Sequence, residues 1–143
     1  MTTEAIINKV RDNLKDDIVE INIKSNVRAL VSIKPEAVQK AYDLLFSEMG
    51  FRFIIASALQ SKEGIEIYYH FSKDIIGLIL NLHVLLPKDN PQIESLADKY
   101  VAANWIEREM HELYGIKFLN HPNLEKLISD GNWAEGVYPY KEE

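Results

Sequence analysis

Three β-rich runs in the middle of the chain constrain its fold more than any other feature. Residues 51–59, 65–71 and 75–86 are rich in β-branched and aromatic side chains. The segments between them, residues 61–64 and 72–74, have the length and the Ser, Asp and Gly content of hairpin loops. The pattern therefore predicts an antiparallel three-stranded meander.

The residues before the meander predict a helix, two strands joined by a tight turn, and a second helix. Thr2 or Thr3 can cap the first helix, and Gly50 stops the second. Together with the meander they predict an α+β fold in a single domain, with a mixed or antiparallel sheet of about five strands and helices on one face. The four segments are residues 3–14, 18–24, 27–33 and 35–49.

Composition excludes several kinds of redox and nucleic-acid-binding protein. The 143 residues include no cysteine, which rules out a disulfide framework, a thiolate-held iron–sulfur cluster and a cysteine nucleophile. We expect the purified chain to carry no redox cofactor. Asp and Glu number 22 against 16 Lys and Arg, and no basic patch is segregated, so nucleic acid is not an expected ligand. The apolar run 75–87 is too short to span a bilayer, and we expect a soluble, intracellular chain.

Two helix-capping signatures follow the meander. Ser95 precedes Asp98 by three residues, and Asn104 precedes Glu107 by three. The second pair predicts a helix of about three turns that Gly115 ends in a left-handed conformation. We call this segment the signature helix.

The charged residues of the signature helix have two interpretations. Arg108 and Glu112 stand one turn apart, with Glu107 and His111 beside them. They could form a solvated face with modest i, i+4 pairing, or they could fix the register of an interface. Spacing alone leaves both open, and the flanking sequence favours the interface.

That flanking sequence resembles a known family. Residues 104–109 read Asn-Trp-Ile-Glu-Arg-Glu, residues 112–118 read Glu-Leu-Tyr-Gly-Ile-Lys-Phe, and residues 121–124 read His-Pro-Asn-Leu. This order is similar to the signature of the 30 kDa subunit, also called the C subunit, of respiratory NADH:quinone oxidoreductase (complex I). The corresponding subunits of membrane-bound, energy-converting [NiFe] hydrogenases belong to the same family. Glu112 stands where the family often has Asp, and Asn120 where it usually has Gly.

The resemblance implies a non-catalytic scaffold rather than an enzyme. Such a protein would hold a hydrogenase-like large subunit and a small iron–sulfur subunit in register. It would lie on the cytoplasmic face of the membrane and would be linked to the membrane-spanning subunits only indirectly. The [NiFe] centre and the iron–sulfur clusters would lie in those partner subunits. A respiratory NADH/quinone oxidoreductase is the alternative parent, and the partly matching tail residues 133–141 favour the hydrogenase type.

The predicted interface combines aromatic anchors with charges on the signature helix and on the segment after it. We predict an α+β domain over residues 1–115 and an extended partner-binding tail over residues 116–143, which proteases cut beyond about Ser129 only in the isolated chain. The predicted partner-binding residues are Trp105, Glu107, Arg108, Glu109, Glu112, Tyr114, Phe118, His121, Pro122, Trp133 and Tyr138.

A second class of function uses some of the same residues. His111, Glu112 and His121 could be ligands in a stand-alone metal- or metabolite-binding domain. The chain has no zincin spacing, no Gly-rich phosphate loop and no G-x-S-x-G sequence, so no catalytic residue is predicted. His70 and His83 fall in predicted strands, where a hydrogen-bonded structural role is expected.

Overall fold

The computed structural model describes residues 2–121 and shows an α+β fold. Short 3₁₀ turns connect several of the elements, and α2 continues as a π-helical turn over Asp43–Glu48. The helices and strands are α1 Thr3–Leu14, β1 Ile18–Ser25, β2 Arg28–Ile33, α2 Val38–Tyr42, β3 Arg52–Gln60, β4 Ile65–Lys73, β5 Leu78–Leu86, β6 Gln92–Glu94, α3 Val101–Tyr114 and β7 Lys117–Leu119.

Within residues 2–121, five strands form a mixed sheet in the order β1-β2-β5-β4-β3. The β1–β2 hairpin is antiparallel, while β2 runs parallel to β5 with Ala29 opposite Leu80 and Val31 opposite Leu82. The predicted five strands and the mixed sheet are confirmed. Parallel pairing of β2 with β5 brings the first hairpin beside the last strand of the meander.

The chain divides into two compact units, of which the first comprises residues 2–55 and 68–84 in the described part. It contains an aromatic cluster in which the buried Tyr42 ring stacks on the partly exposed Phe46 at 5.2 Å and lies 5.9 Å from the buried rings of Phe53 and Phe71, in edge-on contacts. The apolar stripe of α1, which includes Ile6 and Val10, is also fully buried. Burial of such a stripe is the main stabilising contribution expected of an amphipathic helix.

The second unit comprises residues 56–67 and 85–121 in the described part. Here β6 pairs in parallel with β7, placing Ile93 opposite Phe118, and both side chains are buried. Residues 117–119 of the predicted tail therefore pack within this unit. Residues 122–143, including the rest of that tail and the predicted protease site, lie outside the described residues.

Helices in the described part of the chain fall short of the length and apolar character that a membrane span requires. The longest of them, α3, has 14 residues and carries charged side chains at Glu107, Arg108, Glu109 and Glu112.

The predicted threonine cap of α1 gives a first testable expectation. The Thr2 hydroxyl accepts a hydrogen bond from the Ala5 N–H at 3.1 Å, so Thr2→Ala should lower the free energy of unfolding by about 1 kcal/mol. Thr2→Ser keeps the hydroxyl and should leave the free energy of unfolding essentially unchanged, because serine is at least as good an N-cap residue as threonine. Urea unfolding of the three proteins measures both values, and equal losses in the two variants would contradict the cap.

Candidate functional site

The signature helix α3 begins earlier than its sequence suggested. Its first residue is Val101, and Tyr100 occupies the N-cap position with an extended backbone. Asn104 therefore lies inside the first turns, and the predicted Asn104–Glu107 capping box is wrong. The Ser95 prediction is correct in part: its hydroxyl accepts from the Ala97 N–H at 2.9 Å, but it starts a turn and not a helix. The predicted left-handed Gly115 is confirmed, with φ of 74°.

Glu107 binds the segment that precedes α3. Its carboxylate accepts a hydrogen bond from the Ser95 hydroxyl at 2.5 Å and another from the Leu96 N–H at 2.8 Å. The residue is only 1% exposed. Glu107 thus fastens residues 95–97 to the middle of the helix, which is an internal role and not that of a solvated surface charge.

Burial changes the acid strength of this carboxyl group. Removal from water raises the pKa of Glu107, with a smaller contribution from the nearby Asp98, and the pKa reaches about 7 in the folded chain. The Leu96 N–H and the Ser95 hydroxyl oppose this effect by stabilising the ionised form. Glu107 therefore exchanges its proton close to neutral pH.

His121 lies on the same buried side of the helix. Its Nε2 lies 3.2 Å from the Asn104 carbonyl, which can only accept, so this nitrogen carries the ring proton. The same nitrogen is 3.8 Å from a Glu107 carboxylate oxygen, and the His121 side chain is 1% exposed. Burial lowers the pKa of His121, as do the charges of Arg108 and His111, while its bond to Asn104 and the charge of Asp98 oppose them. His121 thereby ties the residues after β7 to the helix.

The end of α3 is held by a pair of hydrogen bonds that involve His111. The Gly115 N–H donates to the His111 carbonyl, and the His111 Nδ1 donates to the Ile116 carbonyl, each at 2.9 Å. Both of the signature histidines thus give a ring N–H to a backbone carbonyl.

The opposite side of α3 carries an exposed apolar and aromatic ridge. Val101 is 84% exposed and Trp105, one turn later, is 59% exposed. The Arg108 guanidinium carbon lies 5.6 Å from the centre of the Trp105 ring, a cation–π distance. These three residues, with Ala97 and Asn104, line a groove of about 350 Å³ that we call the α3 groove.

The predicted partner-binding residues fall into four groups. Trp105 and Glu109 are exposed, and Arg108 and Tyr114 are half-buried. Four of the predicted residues have buried side chains within the second unit, namely Glu107, Glu112, Phe118 and His121. Outside the described residues lie Pro122, Trp133 and Tyr138.

The described residues do not form the metal site that the alternative function requires. Residues 2–121 contain no group of three or more His, Asp or Glu side chains placed to hold a metal ion.

The strand histidines also make internal hydrogen bonds. His70 Nδ1 lies 2.6 Å from the Asn81 side-chain oxygen, and His83 Nδ1 lies 2.9 Å from the Ser32 hydroxyl. The predicted structural role of both histidines is confirmed.

Two features of this site were not predicted from the sequence. One is the Ser95–Leu96 anchor for Glu107, since the partners are 12 and 11 residues from the carboxylate along the chain. The other is Val101, which was outside the predicted signature helix. The sequence does contain a signal for it: Val101 is apolar and stands four residues before Trp105, and residues at that spacing share a helix face.

Known proteins resemble this chain over most of its length. It is 30% identical to the C subunit of the F(420)H(2) dehydrogenase of Methanosarcina mazei over 131 residues, which cover 90% of this chain and 83% of that one. It is also 30% identical to the C subunit of the NADH-quinone oxidoreductase of Rhodobacter capsulatus over 106 residues, 70% of this chain. The chain spans only about half, 53%, of that second relative.

Solved structures share the fold. One is a chain of the membrane-bound sulfane sulfur reductase, an archaeal respiratory membrane complex, with a TM-score of 0.77 and 21% sequence identity. The match covers 96% of the present chain and 82% of the reductase chain. The trypsin-resistant fragment of Nqo5 matches 85% with a TM-score of 0.68 and 22% identity. Residues 31–143 match the family described as "Respiratory-chain NADH dehydrogenase, 30 Kd subunit". The chain therefore belongs to the family of the 30 kDa subunit of respiratory-chain NADH dehydrogenase.

Proposed function

We propose that this chain is a non-catalytic, cofactor-free scaffold subunit in the peripheral arm of a complex-I-like membrane complex. The observation that carries the proposal is the exposed Trp105 with Arg108 stacked on it. Tryptophan and arginine are enriched among the residues that dominate binding energy at protein interfaces. An exposed tryptophan with a half-buried arginine over its ring, on a helix held by its buried side, supports docking.

The buried side of α3 supports the same role. Glu107 holds the preceding segment, and His121 holds the following one, so the helix is fixed to both of its flanking segments along its inner face. A rigid helix loses less conformational entropy on binding than a mobile one. Glu107 and His121 would thus serve the interface as supports, while Trp105, Arg108 and Glu109 would touch the partner.

The proposed partners are a hydrogenase-like large subunit and a small iron–sulfur subunit. By holding them in register, the scaffold would keep the cluster-to-active-site distance fixed. The parent complex in this proposal is a membrane-bound [NiFe] hydrogenase that couples ferredoxin-linked electron transfer to ion translocation. In this proposal the [NiFe] centre and the clusters lie in the partners, and the chain sits peripherally on the cytoplasmic face.

A second parent complex is favoured by a specific observation. The Methanosarcina mazei relative, matched over 90% of this chain, is a subunit of an F(420)H(2) dehydrogenase. The scaffold role would be the same in such a dehydrogenase, or in an NADH-quinone oxidoreductase, and only the electron donor and acceptor would differ.

Isolation of the intact complex tests both levels of the proposal. The chain would be expressed with an affinity tag in its native host, extracted from membranes in mild detergent, and analysed by mass spectrometry and metal analysis. We expect a large subunit, an iron–sulfur subunit, nickel, and hydrogen evolution from reduced ferredoxin. The same chain produced alone should contain neither iron nor nickel and should show no visible chromophore.

The outcomes separate the candidates. A complex that lacks nickel and oxidises F420H2 or NADH would replace the hydrogenase by the second parent and leave the scaffold role intact. A tagged chain that brings no large or iron–sulfur subunit from the membrane would overturn the scaffold role itself. Stoichiometric iron in the chain produced alone would do the same.

A further inference from the structure

The α3 groove has the size and the lining of a side-chain receptor. Its volume is about 350 Å³, and its walls are Ala97, Val101, Asn104, Trp105 and Arg108. All five residues belong to the second unit. The groove thus combines a methyl-lined and aromatic surface with an amide and a guanidinium at one side.

The apolar part of the groove is poorly covered by the protein. Val101 and Trp105 stand one helical turn apart and are 84% and 59% exposed. Removing such side chains from water is favourable by roughly 25 cal/mol for each Å² of apolar surface. An apolar side chain from a partner would therefore gain most by lying across these two residues.

The charge of the groove indicates which polar group its occupant carries. Its five described lining residues include no acid, although the whole chain carries 22 acidic and 16 basic residues. Arg108 is the ionisable group of the lining, and its contact with the Trp105 ring holds the guanidinium beside the apolar surface. A guanidinium offers five N–H donors in a plane and can hold a carboxylate by two parallel hydrogen bonds.

We propose that the α3 groove receives a segment of the neighbouring large subunit in which an apolar side chain stands next to an Asp or Glu. The apolar side chain packs on Val101 and Trp105, and the carboxylate binds Arg108. This assignment rests on the proposed scaffold function and specifies its docking chemistry.

A second copy of this chain fits the groove less well. In a two-fold contact the same patch lies on both sides, so each copy would present Arg108 and no acidic lining residue to the other. Juxtaposed like charges are unfavourable across an interface. Charge complementarity therefore favours an acidic partner over self-association.

Photocrosslinking in the intact complex identifies the occupant. Val101 would be replaced by p-benzoylphenylalanine, because its 84% exposure makes this the least intrusive position in the groove. We expect the crosslinked peptide to come from the large subunit and to contain an apolar residue beside Asp or Glu. Crosslinks only to a second copy, to this chain's own residues 122–143, or to a segment without an acidic residue would overturn the proposal.

Charge reversal tests the carboxylate contact. Arg108→Glu should reduce recovery of the large subunit by about tenfold or more, the loss typical of an interface hot spot, and Arg108→Lys should reduce it less. Arg28→Glu is the matched control, since Arg28 is exposed on β2 in the first unit. Reversing the crosslinked acid to Lys should restore recovery with Arg108→Glu.

A second pair of variants tests the apolar contact, and thermal melting excludes misfolding as the cause of a loss. Trp105→Ala should also reduce recovery, whereas Ile75→Ala, which truncates a 93% exposed side chain elsewhere, should not. Thermal melting of each purified chain verifies that both variants fold. Full recovery with Arg108→Glu and with Trp105→Ala would overturn the groove assignment while leaving the scaffold function in place. Failure of the unaltered chain to bring any partner would instead overturn the scaffold function.

Discussion

Glu107→Ala is expected to lower the free energy of unfolding at pH 5 by about 2 to 4 kcal/mol. The substitution removes the acceptor of the Ser95 hydroxyl and of the Leu96 N–H, both of which lie in a buried environment. Replacing a buried acceptor leaves the desolvation cost of each donor uncompensated. At pH 5 the carboxyl group is largely protonated in the folded state, so the measurement reports mainly on these two donors.

Glu107→Gln provides the control for shape. Glutamine keeps one carbonyl acceptor and a similar volume, so we expect it to lose clearly less stability than alanine. Denaturant unfolding of the three proteins gives the comparison. If alanine and glutamine were equally mild, the Ser95–Leu96 anchor would contribute little to the fold, and the proposed rigidity of α3 would need another source.

The pH dependence of stability is the second large effect that we expect. The pKa of Glu107 is about 7 in the folded chain and close to 4.5 when unfolded, so the folded state binds the proton more tightly. The free energy of unfolding should therefore fall as the pH rises from about 4.5 to 7, by up to about 3 kcal/mol from this group. Above pH 7 this contribution stays constant.

His121 titrates in the opposite sense and must be removed from the comparison. Its pKa is lowered in the folded state, so its contribution is lost as the pH falls below its ordinary value of 6.5. The measurement is best made in a His121→Gln background, with and without Glu107→Gln. The stability difference between these two proteins should change with pH between 4.5 and 7, and parallel curves would show that folding does not raise the pKa of Glu107.

Much of the fold was predictable because its elements carry local signals. The β-rich runs and their hairpin loops predicted β3, β4 and β5, and the apolar stripe with a threonine cap predicted α1. These signals concern residues within a few positions of each other, where periodicity and turn chemistry are decisive. These local signals could not predict the parallel pairing of β2 with β5, because that pairing joins residues about 50 positions apart, such as Val31 and Leu82.

The candidate site was predictable as a location but not as a geometry. The signature residues identified α3, yet its start and the direction of the Glu107 side chain were wrong, since a capping box considers only neighbours three residues away. The sequence by itself determined which helix carries the aromatic and charged residues. Only the tertiary structure decided that Glu107 faces inward and Trp105 outward, because the Ser95 hydroxyl and the Leu96 N–H become available to a buried carboxylate only after residues 95–97 have folded against the helix.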